Sequence, residues 1–179
     1  ILALYVGFDS ESLSRVVRAI RMALSPKDDL TKMAKTQNEW LTPGLFECLV
    51  VDNALSFKSD QMHKIASALE IDIEYGAVRQ PWFKPSVERA MASVTKILPR
   101  QGRPNKIKNG VSDPVDPAEN ARIRFSDLVN ILTKWVVDVH SFTINRRTLK
   151  RPIDLMQEGL KINPPPVFAS SLDDLELIT

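Results

Sequence analysis

Apolar, β-prone runs alternate with stretches of helical periodicity over the first hundred residues, and no other feature limits the fold so tightly. Ile1 to Phe8 is apolar and suited to a pleated surface, which predicts a buried strand. Asp9, Ser10 and Glu11 suit a helix start. Leu13, Val16, Val17, Ile20 and Leu24 then recur at the spacing of one helical face, until Pro26 stops it. Lys27 to Gly44 is polar and irregular, with room for one short helix, and Leu45 to Val51 is a second apolar run ending at Asp52. Ser59 is placed to cap a helix that carries Ile65, Ala66 and Leu69 on one face. Ile71, Ile73 and Tyr75 alternate with acids, which predicts a third strand closed by Gly76. Ser86 is placed to cap a helix with Val87, Ala90, Met91, Val94 and Leu98 on a buried face, ended by Pro99. Strand and helix in strict turn predict an α/β layered fold with at least some parallel strands.

The pattern changes after residue 100. Arg100 to Asn120 is rich in Pro, Gly, Asn and charge and reads as a linker, long enough to argue for a functional or mobile role. Leu128, Ile131, Leu132, Trp135, Val136 and Val139 return to helical spacing, with Ser126 as cap and Trp135 in the core. Pro152 to Glu158 predicts a last short helix, and Pro164-Pro165-Pro166 opens an extended acidic tail.

Composition excludes several classes. Cys48 is the only cysteine, so an internal disulfide and a cysteine-rich zinc site are impossible; its alternation with Val50 predicts packing within the sheet. No apolar run approaches the ~20 residues of a membrane span. The chain opens inside an apolar stretch with no basic segment before it, which reads as a cut chain without a signal peptide. Net charge is only +2, so the distribution carries more than the total: eight cations lie between Arg79 and Lys108, with Glu88 the one acid among them. Such a block is either a solvated face or a phosphate-binding stripe. His63 and His140 have no ligand-like neighbours, and His63 reads as a surface helix residue. Trp82 reads as a lid over the core or a base-stacking residue.

Asp52 and Glu88 stand out by context, not by the 35 residues between them. Asp52 ends the run Leu49-Val50-Val51, and ligands of α/β sheets gather at strand ends. Glu88 falls in the first turn of its helix, at the edge of the apolar face. Stripped of context, Asp52 is a cap for the following turn and Glu88 a partner of Arg89 or Lys84 on a solvated face.

Taken together, Val50-Val51-Asp52-Asn53, Phe57, Pro81 and Lys84-Pro85-Ser86-Val87-Glu88-Arg89 resemble the catalytic core of DDE transposases and retroviral integrases, most closely TnsB-like and Mu-type transposases. The likeness covers residues 1 to 100 and continues more weakly through Asn145-Arg146-Arg147 and Pro152 to Met156. It implies an RNase H-like integrase core, a mixed sheet flanked by helices, with three metal-binding acids. Asp52 matches the second acid and Glu88 the third. Ile1 to Phe8 matches the third strand of that core, so the first two strands and the first acid have no counterpart here, and Asp9 is no replacement. Ala54 stands where the family has Gly, which implies a different turn.

The resemblance implies the following expectations. Residues 1–100 form a partial catalytic core, 101–120 a basic linker, 121–160 a helical extension closing the core, and 161–179 a connection towards a downstream domain. Asp52 and Glu88 are the catalytic and metal-binding residues, converging on one shallow cleft. The cofactor is Mg²⁺ or Mn²⁺, two ions in a complete site; ions about 3.5–4 Å apart stabilise both the attacking and the leaving oxygen in phosphodiester transfer. Lys84, Arg89, Lys96, Arg100, Arg103, Lys106 and Lys108 contact DNA. Partners are transposon ends, target DNA, further copies of the chain on DNA and an ATPase, in a prokaryotic cytoplasm near the nucleoid and away from membranes. The reaction is DNA cleavage and strand transfer, with this chain alone inactive for want of the first acid. Two alternatives stay open: an inactive remnant that binds DNA or partners, and an RNase H-like nuclease.

Overall fold

The computed structural model describes residues 1–8, 12–52, 54–76, 85–98 and 121–165. Their elements are α1 (Leu13–Leu24), α2 (Asp28–Ala34), β1 (Cys48–Val51), a 3-10 turn (Leu55–Lys58), α3 (Asp60–Ala68), β2 (Asp72–Tyr75), α4 (Pro85–Ile97), α5 (Phe125–Lys134), a π-helical turn (Trp135–His140) and α6 (Pro152–Ile162). No helix among them is long and apolar enough to cross a membrane.

β1, α3 and β2 form the unit that positions the site. The two strands are parallel, with Cys48 opposite Asp72 and Val51 opposite Tyr75. Pairing runs one residue past the strands at each end: Asp72 N–H donates to Glu47 O at 2.9 Å and Gly76 N–H to Val51 O at 2.8 Å. Parallel strands require a crossover, and α3 supplies it. Ser59 caps α3 as its sequence position predicts, its Oγ accepting Met62 N–H at 3.2 Å. Met62 and Ile65 of α3 are fully buried, and with Val17, Ile20 and Leu24 of α1, Leu45, Leu69 and Ile71 they make the main core. The helical face foreseen for α1 is thus the face that is buried.

A second, smaller core joins Trp40 to Val136 and Val137, with Leu4, Met22 and Trp135 packed against it. α2 lies on α5. Asp138 fastens this region: its carboxylate accepts the N–H groups of Gln37 and Asn38 and the Asn38 side-chain amide, all at 3.0 Å. Lys27 is buried, its ammonium donating to Ser25 O at 2.9 Å and Thr42 Oγ1 at 3.1 Å, 5.7 Å from the centre of the Trp40 ring.

Several local expectations are corrected. Ile1 to Phe8 is not a strand. Its polar groups go to side chains instead of a ladder: Ile1 O accepts from Trp40 Nε1 at 2.9 Å, and Leu4 N–H faces Met22 Sδ at 3.4 Å. A β-prone sequence becomes a strand only beside another strand, and among the described residues none lies alongside. Cys48 is exposed, because β1 turns Leu49 and Val51 inward and Cys48 and Val50 outward. On α4, Val87 and Met91 are 55% and 61% exposed, so the apolar face expected to be buried is largely open. The helix expected through Val139 changes to π geometry at Trp135, where Ser141 Oγ donates to Val136 O at 2.8 Å, and Trp135 is half-buried instead of enclosed. Ser126 does not cap α5, which begins one residue earlier with Arg124 in the capping position. α6 runs four residues beyond the expected end.

Candidate functional site

A groove of about 940 Å³ lies along β1. Val16, Ala19 and Ala23 of α1 line it, together with Leu2 and Ala3. The residues of β1 also line it, with Asp52 and Phe57 following the C-terminal end of the strand. Val87 of α4 and Glu74 of β2 complete the lining. Sequence order alone separates these groups by up to 85 residues; the parallel pairing of β1 and β2 brings the two strands side by side, and Val87 at the start of α4 lines the same groove.

Asp52 sits where the sequence placed it, one residue past β1 and exposed. Its Oδ1 accepts Ala54 N–H at 3.1 Å, an Asx turn. The modest role foreseen for Asp52, capping the next turn, is therefore real. It engages one oxygen. The turn that follows is pinned from below by β2: Tyr75 Oη donates to Phe57 O at 2.7 Å, and His63 Nε2 lies 3.3 Å from the same hydroxyl. His63 is exposed on α3, as foreseen.

Glu88 is exposed in the first turn of α4, beside groove-lining Val87. The structure thus brings Asp52 and the first turn of α4 to one groove. Among the described residues, no three His, Cys, Asp or Glu side chains come close enough to hold a metal ion. The donor chemistry of Asp52 and Glu88, hard carboxylate oxygens, suits Mg²⁺. The described residues supply no complete ligand set, so no metal-dependent step is derived from their geometry.

Arg89 and Lys96 both lie exposed on α4, seven residues and two turns apart, hence on one side of the helix. Lys84, Arg100, Arg103, Lys106 and Lys108 fall outside the described residues, as do Asp9, Asn53 and Trp82. Sequence reasoning missed Glu74, whose signal was available: alternation along β2 turns Asp72 and Glu74 to the same outer face.

The TnsB C-terminal domain is the family whose model matches this chain, over residues 1–102. The chain belongs to that family. No curated protein matches it at a significant level. The matched span includes β1, the groove, Asp52 and Glu88, and stops before α5. Membership in the TnsB C-terminal domain family gives the chain a transposase-related, DNA-binding role.

Proposed function

We propose that this chain is the catalytic-core portion of a DDE transposase that joins transposon ends to target DNA, with Asp52 and Glu88 contributing carboxylates to a Mg²⁺ or Mn²⁺ site. One observation carries the reading: the acid at the end of β1 and the first turn of α4 meet on a single groove within the span that matches a transposase family. An RNase H-like arrangement of the core accounts for both positions. A bound ion would supply charge stabilisation for the attacking and leaving oxygens. The chain's own residues have simpler tasks. The Tyr75 bond to Phe57 O holds the turn after Asp52. Arg89 and Lys96 hold the DNA backbone along α4, and Lys84, Arg100, Arg103, Lys106 and Lys108, outside the described residues, add further phosphate contacts. Two acids do not make a two-ion clamp, so a further carboxylate has to join them, and the chain by itself is inactive until it does. Further copies of the chain on DNA and an ATPase partner fit the same reading, in a prokaryotic cytoplasm near the nucleoid.

The decisive experiment uses the full-length protein with precleaved transposon ends and supercoiled target. Asp52→Asn and Glu88→Gln each keep side-chain size and remove a negative oxygen. Each is expected to lower strand transfer by at least ~10²-fold, equivalent to about 2.7 kcal/mol of barrier, while duplex binding stays within about twofold. Retained joining in either variant refutes the assignment of that acid. Hydrolysis of the target without joining would favour the nuclease.

A further inference from the structure

The segment joining the π-helical turn to α6, residues 141–151, is exposed yet tightly closed. Ile153 N–H donates to Ser141 O at 3.1 Å across its base, and Asn145 N–H donates to Lys150 O at 3.0 Å higher up. Leu149 N–H returns to Asn145 O at 2.8 Å, and Asn145 Oδ1 accepts Arg147 N–H at 2.9 Å. The acids of α6 are used at the base: Asp154 takes both N–H groups of Arg151 at 2.7 Å, and Glu158 takes Lys150 at 2.6 Å. The Arg151 guanidinium also lies 5.6 Å from the centre of the Phe142 ring. Four cations and no acid lie between Ile144 and Arg151. After Lys150 and Arg151 are neutralised at the base, Arg146 and Arg147 remain at the tip, both exposed, and no described acid pairs with them.

The tip also displays apolar surface. Leu149 is 77% exposed and Ile144 60% exposed. Leu149 holds a φ of 55°, a left-handed conformation that a branched residue adopts at a cost. The loop thus holds a leucine in a strained conformation out in solvent, two residues after Arg147.

We propose that loop 141–151 is a second DNA-binding element, in which Arg146 and Arg147 contact phosphates of duplex DNA and Leu149 packs on the adjoining sugar edge. Charge complementarity selects the partner: two unneutralised guanidinium groups on a rigid frame suit a polyanion with regularly spaced phosphates. The frame gives the contact its value, because little ordering remains to be done on binding. The element lies outside the matched family span and outside the basic stretch at 84–108. The inference rests on the DNA-binding reading of the chain and is independent of the catalytic one.

The test is fluorescence anisotropy of a labelled duplex over a NaCl series, using the full chain. Arg146→Ala with Arg147→Ala should reduce the slope of log Kobs against log[NaCl] by about 0.9 per contact, or about 1.8 for the pair. Replacing both by Lys should restore most of the slope. Leu149→Ala should weaken binding several-fold at every salt concentration without changing the slope. An unchanged slope in the double Ala variant overturns the proposal. If Arg100→Ala, Arg103→Ala, Lys106→Ala and Lys108→Ala together flatten the slope while the loop variant does not, DNA binding stands and only this element fails. Absence of duplex binding by the unaltered chain would overturn both.

Discussion

Asp138→Ala tests how the helical region after residue 121 is fixed to the rest of the chain. Asp138 lies in the π-helical turn and reaches across about a hundred residues of sequence to the loop after α2. Its carboxylate accepts two bonds from Asn38, both partly buried, and a forked bond from Gln37 N–H that is open to solvent. A net contribution of about 1 kcal/mol for each partly buried bond, and little for the exposed one, gives ~2 kcal/mol for the whole contact. For a protein of this size that corresponds to a fall in Tm of roughly 4–8 °C. Asp138→Asn retains an acceptor oxygen in the same place and should lose only about half as much. Urea unfolding followed by tryptophan fluorescence is the appropriate assay, because Trp40 and Trp135 both belong to the core beside this contact. Removing the Asn38 amide and the Asp138 carboxylate together should cost about 1 kcal/mol less than the sum of the separate effects, because both single changes already lose the same side-chain bond. The reasoning is refuted if Asp138→Ala lies within about 0.5 kcal/mol of the unaltered protein, or if Asn proves as damaging as Ala.

Lys27→Met leaves Ser25 O and Thr42 Oγ1 without their ammonium donor and should cost about 2 kcal/mol at neutral pH. Burial holds the Lys27 ammonium below the ordinary lysine value of 10.5, so between that lowered value and 10.5 the unfolded chain binds more protons. Stability relative to the Met variant should therefore rise with pH across that window, and a fall in urea titrations at successive pH values would contradict it. Tyr75→Phe removes the 2.7 Å bond to Phe57 O and should cost about 1 kcal/mol. Amide exchange should quicken in the 3-10 turn after Asp52 and not in α1, and uniform quickening would show a global effect.

The local signals in this sequence were legible because their physics is local. Ser59 caps α3 because a hydroxyl there reaches an N–H three residues on, whatever surrounds it. Alternation along β1 and β2 follows from the pleat, and the buried face of α1 from the 3.6-residue turn. The position of Asp52, one residue beyond an apolar run, needed no more than that run's end. These are properties of a residue and its near neighbours, and the chain carries them in any context.

What covers a face is a different kind of fact. The periodicity of α4 marks Val87 and Met91 as apolar, but their burial depends on a second surface, and both are more than half exposed. Ile1 to Phe8 has strand propensity, yet a strand's hydrogen bonds belong to its neighbour, and here the backbone bonds with Trp40 and Met22 instead. Glu74 and Asp52 share a groove because β1 and β2 pair in parallel with one register, and Val87 of α4 lines the same groove. The loop that presents Arg146 and Arg147 reads as a charged connection until its cross-bonds and the pairing of its other cations are seen. The sequence by itself determined the Ser59 cap, the buried face of α1 and the alternation along β1 and β2, since each follows from spacing along one chain. Which surfaces meet, which charges remain unneutralised and which apolar faces stay open were decided by tertiary structure, because each depends on groups far apart in sequence.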